Sequence, residues 1–69
     1  MLIERNDQFQ PGVPAYKVTI TPKVVWFYTK VADRWWACER FVNNRSCGTT
    51  RFFTSAKRCL SHIQKTEKL

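Results

Sequence analysis

The chain has 69 residues, of which 12 are Lys or Arg and 5 are Asp or Glu, so its formal net charge is +7. This length allows a single domain. A chain so short buries only about 60% of its unfolded surface, which excludes a deep pocket in addition to a core. An apolar content of 43%, with 14% aromatic residues, is ordinary for a folded domain. It argues against disorder and, at this length, against a self-contained enzyme.

The amino-terminal residues are mostly polar and end in a segment with two Pro residues and a Gly. Pro and Gly interrupt regular structure, so we predict a flexible arm over residues 1–14, followed by a single domain over 15–69. Apolar and polar residues then alternate over 16–20, which predicts a half-buried strand. Thr21-Pro22-Lys23 interrupts this pattern as a tight turn or as a bend in an edge strand.

Two further strands are predicted in the centre of the chain. Residues 24–31 are β-branched or aromatic on both faces, so one face meets the core and the other is covered or binds something. Residues 34–42 follow after a turn, and strand alternation sends Trp35 and Trp36 to opposite faces. The Asn- and Gly-containing segment 43–48 predicts another turn, and the chain returns as a strand over residues 49–53.

The carboxyl-terminal part of the sequence has a helical period. Ala56, Cys59, Leu60 and Ile63 lie on one stripe, and Thr54 or Ser55 supplies the cap. The sequence therefore predicts an α+β fold: a three- or four-stranded antiparallel meander with one C-terminal helix packed on one face.

Positive charge is concentrated in the second half of the chain. No acidic residue lies between Glu39 and Glu67, and this segment holds six cations: Arg40, Arg45, Arg51, Lys57, Arg58 and Lys65. Such an imbalance favours a polyanionic partner, either nucleic acid or an acidic protein surface. If Trp36 faces outward it lies beside Arg40, and the two form a stacking platform with a phosphate-neutralising neighbour.

The cysteines and the single histidine carry no recognised motif. Cys38, Cys47, Cys59 and His62 include no C-x2-C pair, so we expect two buried thiols and one loop thiol, with no metal and no cofactor. We expect no chemical role for His62, and we interpret Glu39 as the partner of a nearby Arg. The odd number of cysteines and the lack of a secretory signal or a membrane-spanning segment favour a cytoplasmic location.

The segments Arg34-Trp35-Trp36-Ala37, Gly48-Thr49 and Phe52-Phe53-Thr54-Ser55-Ala56 follow a recognisable pattern. Over residues 24–66 the chain resembles the three-stranded-sheet-plus-helix DNA-binding domains of ethylene-response factors and the arm-binding domains of tyrosine integrases. The resemblance implies that the sheet lies in the major groove, with contacts from Arg34, Trp36, Arg40 and Arg51. The chain departs from this pattern at Glu39, in the longer turn over 43–47, and at Cys59-Leu60.

We therefore expect a small, basic, non-catalytic nucleic-acid-binding protein, an accessory or regulatory protein of a bacterium or phage, with duplex DNA favoured. The expected contact residues are Arg34, Trp36, Arg40, Arg45, Arg51, Lys57 and Arg58. The alternative is a protein-interaction module that docks on an acidic partner, for which a large exposed apolar patch would be the evidence. A homodimer joined through residues 24–31 is a third interpretation.

Overall fold

The computed structural model describes residues 1–6 and 12–68 of the chain. In this part of the chain there are six strands and one helix. They are β1 (Leu2–Arg5), β2 (Ala15–Thr19), β3 (Val24–Ala32), β4 (Trp35–Val42), β5 (Arg45–Ser46), β6 (Arg51–Phe53) and α1 (Ala56–Thr66).

All strands belong to one antiparallel sheet. The strands β1 to β5 lie side by side in chain order, and β6 also pairs with β4, next to β5 on the same edge. The helix packs on one face, through contacts with β3, β4 and β6. The predicted α+β class, with an antiparallel sheet and one C-terminal helix, is confirmed. The predicted number of three or four strands is too small.

One strand that the prediction omitted lies in the amino-terminal arm. Leu2–Arg5 pairs with β2, with Ile3 opposite Val18 and Arg5 opposite Tyr16. All four of its residues are exposed. This strand is held by its backbone pairing with β2 and by the packing of Arg5 over the Tyr16 ring. It has no buried apolar face, so its sequence shows no strand pattern. Part of the predicted arm, residues 7–11, lies outside the described residues.

The second omitted strand, β5, follows a two-residue turn. Asn43 and Asn44 have φ angles of 53° and 64°, both in the left-handed region. Two successive residues of this kind form the type of hairpin turn whose twist matches that of the flanking strands. The turn brings Arg45 opposite Val42 in β4. The segment 21–23 is also a tight turn, in which the Thr21 hydroxyl accepts hydrogen bonds from the backbone N–H groups of Lys23 and Val24.

The core lies between the sheet and the helix. Its buried side chains come from β2, β3, β4 and α1: Val18, Trp26, Tyr28, Cys38, Cys59 and Ile63. Ser55 caps the helix, its hydroxyl accepting from the backbone N–H of Arg58, and Cys59 and Ile63 are the buried helical residues. Of the predicted helical stripe, Cys59 and Ile63 are buried and Ala56 packs against the core, whereas Leu60 is half-buried.

On the opposite face of the sheet, no helix of the described segments packs. We call it the open face. It is built from the alternate residues of β2, β3, β4 and β6: Lys17, Val25, Phe27, Thr29, Ala37, Glu39, Phe41 and Phe52. Phe27 and Phe41 pack edge to face with ring centroids 5.3 Å apart. Their rings line two adjoining grooves of 260 and 470 Å³. Residues 24–31 therefore present one face to the core and an apolar face to the outside, as their composition predicts.

Candidate nucleic-acid interface

Three cations converge where β6 meets the helix. Arg58 and Lys65 line a shallow groove of 290 Å³ together with Phe53, Ser61 and His62. Arg51, on β6, acts electrostatically on the same His62. We call Arg51, Arg58 and Lys65 the cationic edge.

The local sequence explains this convergence. Arg58 and Lys65 are seven residues apart, so they lie on one side of the helix, two turns or about 10 Å from each other. That side is next to the sheet edge where β6 pairs with β4. Arg51 lies opposite Cys38, a buried residue under the helix, so its side chain is on the helix face of the sheet.

The cationic edge has an unbalanced charge. Among the residues that the structure describes, no salt bridge joins its three cations to a carboxylate, and the ion pair that does form involves Arg40 and Glu67. Burial lowers the pKa of His62, and the positive charges of Arg51 and Lys65 lower it further. The histidine is therefore neutral at pH 7, and an anion bound beside it would raise its pKa.

The first turn of the helix adds to this potential. The residues there include Lys57 and Arg58, and no acidic side chain is present in that turn. Carboxylates are favoured at this position because the helix N-terminus carries partial positive charge. Two cations at this end leave an uncompensated positive field on the surface that Lys57 and Arg58 share.

Arg40, one of the predicted contact residues, is bonded to a carboxylate within the fold. Its Nε donates to Glu67 Oε1 at 2.7 Å, and the same oxygen accepts from Trp26 Nε1 at 2.9 Å. Arg40 Nη1 also contacts Cys47 Sγ at 3.7 Å. Glu67 directly follows the helix, so this carboxylate ties the helix end to β3 and β4. Arg40 is committed to a structural ion pair within the fold.

The two neighbouring tryptophans are on opposite faces, and Trp36 is the packed one. It stacks near Tyr16 and Tyr28, with ring centroids 6.3 and 6.0 Å away, beside the core. Trp35 lies on the open face and is 48% exposed. The predicted placement of Trp36 and Arg40 on one face is correct, but that face is the one that the helix covers. Trp36 is therefore not an outward platform.

The remaining predicted cations are exposed but separated. Arg34 lies in the turn before β4, whereas Arg45 lies in β5, at the other end of β4. Lys57 lies beside Arg58 in the first turn of the helix but does not line the groove. Of the predicted contact residues, the structure thus brings together Arg51 and Arg58.

Three residues that line this groove were missed as contacts: Phe53, His62 and Lys65. The signal for His62 and Lys65 is their spacing with Arg58 and Ser61 at i, i+3, i+4 and i+7, which defines a second, polar stripe on the helix. The ring of His62 packs against Phe53 at 5.1 Å and against Trp26 at 5.7 Å. This packing fixes the floor of the groove.

Glu39 does not pair with an Arg in the described part of the chain, contrary to the prediction. It lies on the open face and accepts hydrogen bonds from the hydroxyls of Ser46 at 2.7 Å and Thr50 at 3.3 Å. Strand alternation explains the difference, because Arg40, its neighbour, points to the helix face.

The thiols are placed as predicted, with Cys38 and Cys59 buried and Cys47 exposed. Burial raises the pKa of Cys38 to about 12 and that of Cys59 to about 11. Among residues 1–6 and 12–68, no group of three or more His, Cys, Asp or Glu side chains is arranged to hold a metal ion.

Comparisons of the chain with protein-family models, with curated proteins and with solved structures each give no significant match. No helix in the described segments is long and apolar enough to span a membrane.

Proposed function

We propose that this chain is a small, non-catalytic nucleic-acid-binding protein that contacts the phosphate backbone of duplex DNA through the cationic edge. The observation that carries the proposal is that Arg58 and Lys65 line one groove and Arg51 acts on its His62, without a carboxylate bonded to these three cations in the described chain. Cations that are not neutralised within a fold attract polyanions.

The dimensions of the edge suit a nucleic-acid backbone. The groove is shallow, so it accommodates a ridge that lies across it rather than an enclosed small molecule. Two helical turns place Arg58 and Lys65 about 10 Å apart along the helix, and each cation of the edge can neutralise one phosphate. The edge therefore contacts up to three phosphates.

This mode differs from the one that the family resemblance implies. A sheet that enters the major groove needs basic side chains on its free face, whereas Arg40 and Arg51 are on the helix face. The open face is mainly apolar. We therefore assign the contact to the helix side of the molecule, with Arg34, Arg45 and Lys57 as peripheral charges. The three free thiols favour a reducing, cytoplasmic location for this activity.

The test is the salt dependence of binding to a fluorescent duplex, measured by anisotropy. Three neutralised phosphates give a slope of log K against log salt of about −2.7, so a fourfold rise in salt weakens binding about 40-fold. In the double variant R58Q/K65Q the slope falls by about 1.8. The matched control is K17Q/K23Q, which removes the same charge from the other side of the sheet and leaves the slope unchanged.

Two results would overturn the proposal. One is an equal loss in both double variants, which would reduce the effect to net charge. The other is equally tight binding of poly-glutamate of the same length and charge, which would favour an acidic protein surface as the partner. The apolar open face is the observation that favours the alternative, a protein-interaction module.

A further inference from the structure

The open face is an apolar surface without a packing partner in the described part of the molecule. The rings of Phe27 and Phe41 lie between two grooves on it. Trp35 and Phe52 extend the surface toward β6 and are 48% and 57% exposed. Monomeric proteins rarely expose a contiguous apolar surface of this kind unless it binds something.

The charges of this face are balanced, unlike those of the whole chain. Glu4, Lys17 and Glu39 lie in one row across the strands, with Phe27 between Lys17 and Glu39. Lys23 lines the smaller groove. Two carboxylates and two ammonium groups thus accompany the apolar surface, whereas the cationic edge lies on the other side of the sheet. A face with balanced charge suits a partner with the same balance better than a polyanion.

We propose that the open face binds a second copy of this chain, so that two sheets pack face to face with both helices outside. A two-fold axis parallel to β3 and passing over Phe27 places Lys17 of one copy opposite Glu39 of the other, and Glu39 opposite Lys17. A two-fold interface must be complementary to itself in this way. The Phe27 side chains of the two copies meet at the centre.

The area is sufficient for such a dimer. The six strands hold 31 residues, and each occupies ~3.3 Å along its strand and ~4.8 Å across the sheet, which gives a face of about 500 Å². The total for two copies is roughly 1,000 Å², which is the lower limit for a specific interface.

The two activities are expected to depend on salt in opposite ways. Dimerisation buries apolar surface and brings together two chains of charge +7, so screening by salt leaves it unchanged or strengthens it. Binding to DNA weakens as salt rises. A dimer that persists at high salt therefore tests this inference independently of the proposed function, and either can fail alone.

Sedimentation equilibrium of the full chain measures the dimer directly. We expect a concentration-dependent shift from 8.2 kDa toward twice this mass. F52D places a charge in the interface at a half-exposed site and is expected to abolish the shift. The matched control is I3D. Ile3 is apolar and 40% exposed, and it lies opposite Val18 on the helix face of the sheet, so I3D is expected to dimerise like the wild type. Circular dichroism verifies that both variants fold.

A monomeric wild type at high protein and salt concentration overturns the inference, whatever the variants do. Equal dimerisation of F52D and wild type moves the interface elsewhere and also overturns it. The axis has its own test, since K17E is expected to weaken the dimer and K17E/E39K to restore it. Failure of this restoration, with both variants folded, contradicts the two-fold arrangement.

Discussion

Replacement of Glu67 by Ala removes the link between the end of the helix and the sheet. One carboxylate oxygen accepts from both Trp26 Nε1 and Arg40 Nε, at 2.9 and 2.7 Å. Trp26 is 3% exposed, so water does not readily replace the lost acceptor, and an unsatisfied buried donor costs about 1–3 kcal/mol. The Arg40 side chain is 34% exposed and regains water, so its loss is within about 1 kcal/mol.

The free energy of unfolding of E67A is therefore expected to fall by about 2–3 kcal/mol. In a domain of this size that corresponds to a Tm lower by about 10–20 °C. The assay is urea and thermal unfolding followed by tryptophan fluorescence and by circular dichroism.

Two further variants separate the contributions to this loss. E67Q keeps a carbonyl oxygen for the indole N–H and loses only the charge, so about 1 kcal/mol is expected. R40M leaves Glu67 with Trp26 and is expected to cost a similar amount. An E67A variant that unfolds within about 0.5 kcal/mol of the wild type, or an E67Q variant as unstable as E67A, contradicts this role of Glu67.

Because the pKa of His62 is lowered in the folded protein, the unfolded chain binds the proton more tightly, and the free energy of unfolding is expected to fall as pH drops through about 6.5. Urea unfolding curves of H62Q are expected to lack this decrease. Cys47 is expected to react rapidly with a thiol reagent in the folded protein, while Cys38 and Cys59 react only on unfolding; fast reaction of all three contradicts their burial. N44G is expected to raise the free energy of unfolding by up to about 1 kcal/mol and N44A to lower it by a similar amount, because the positive φ at Asn44 favours Gly. The measurement is calorimetry, and a less stable N44G than N44A contradicts this description of the turn.

The fold was predictable wherever an apolar period coincided with burial on one face. The helix was identified because Cys59 and Ile63 point inward at helical spacing and Ser55 precedes them as a cap. Strand β1 was not, since its four residues are all exposed and its pairing with β2 depends on backbone groups that every residue carries. A two-residue strand such as β5 is too short to show any period.

The site was less predictable than the fold. Strand alternation separates Trp35 from Trp36, but with aromatic residues on both faces the sequence does not tell which side the helix covers. The partner of Arg40 is 27 residues away at Glu67, and only tertiary packing brings the two together. The proximity of Arg51 to the polar stripe of Arg58 and Lys65 on the helix also depends on the register between β6 and β4.

The chain order of the sheet has a consequence for folding kinetics. Each strand from β1 to β5 lies next to the strand that follows it, so most pairings close short loops. Short loops lose little entropy on closing, and small domains with such local contacts fold quickly for β proteins. The β3–β4 hairpin has the longest register and can form first, with the other strands adding at its sides. The hydrogen bond between Trp26 and Glu67 spans 41 residues, so we expect it to form after the local strand pairings.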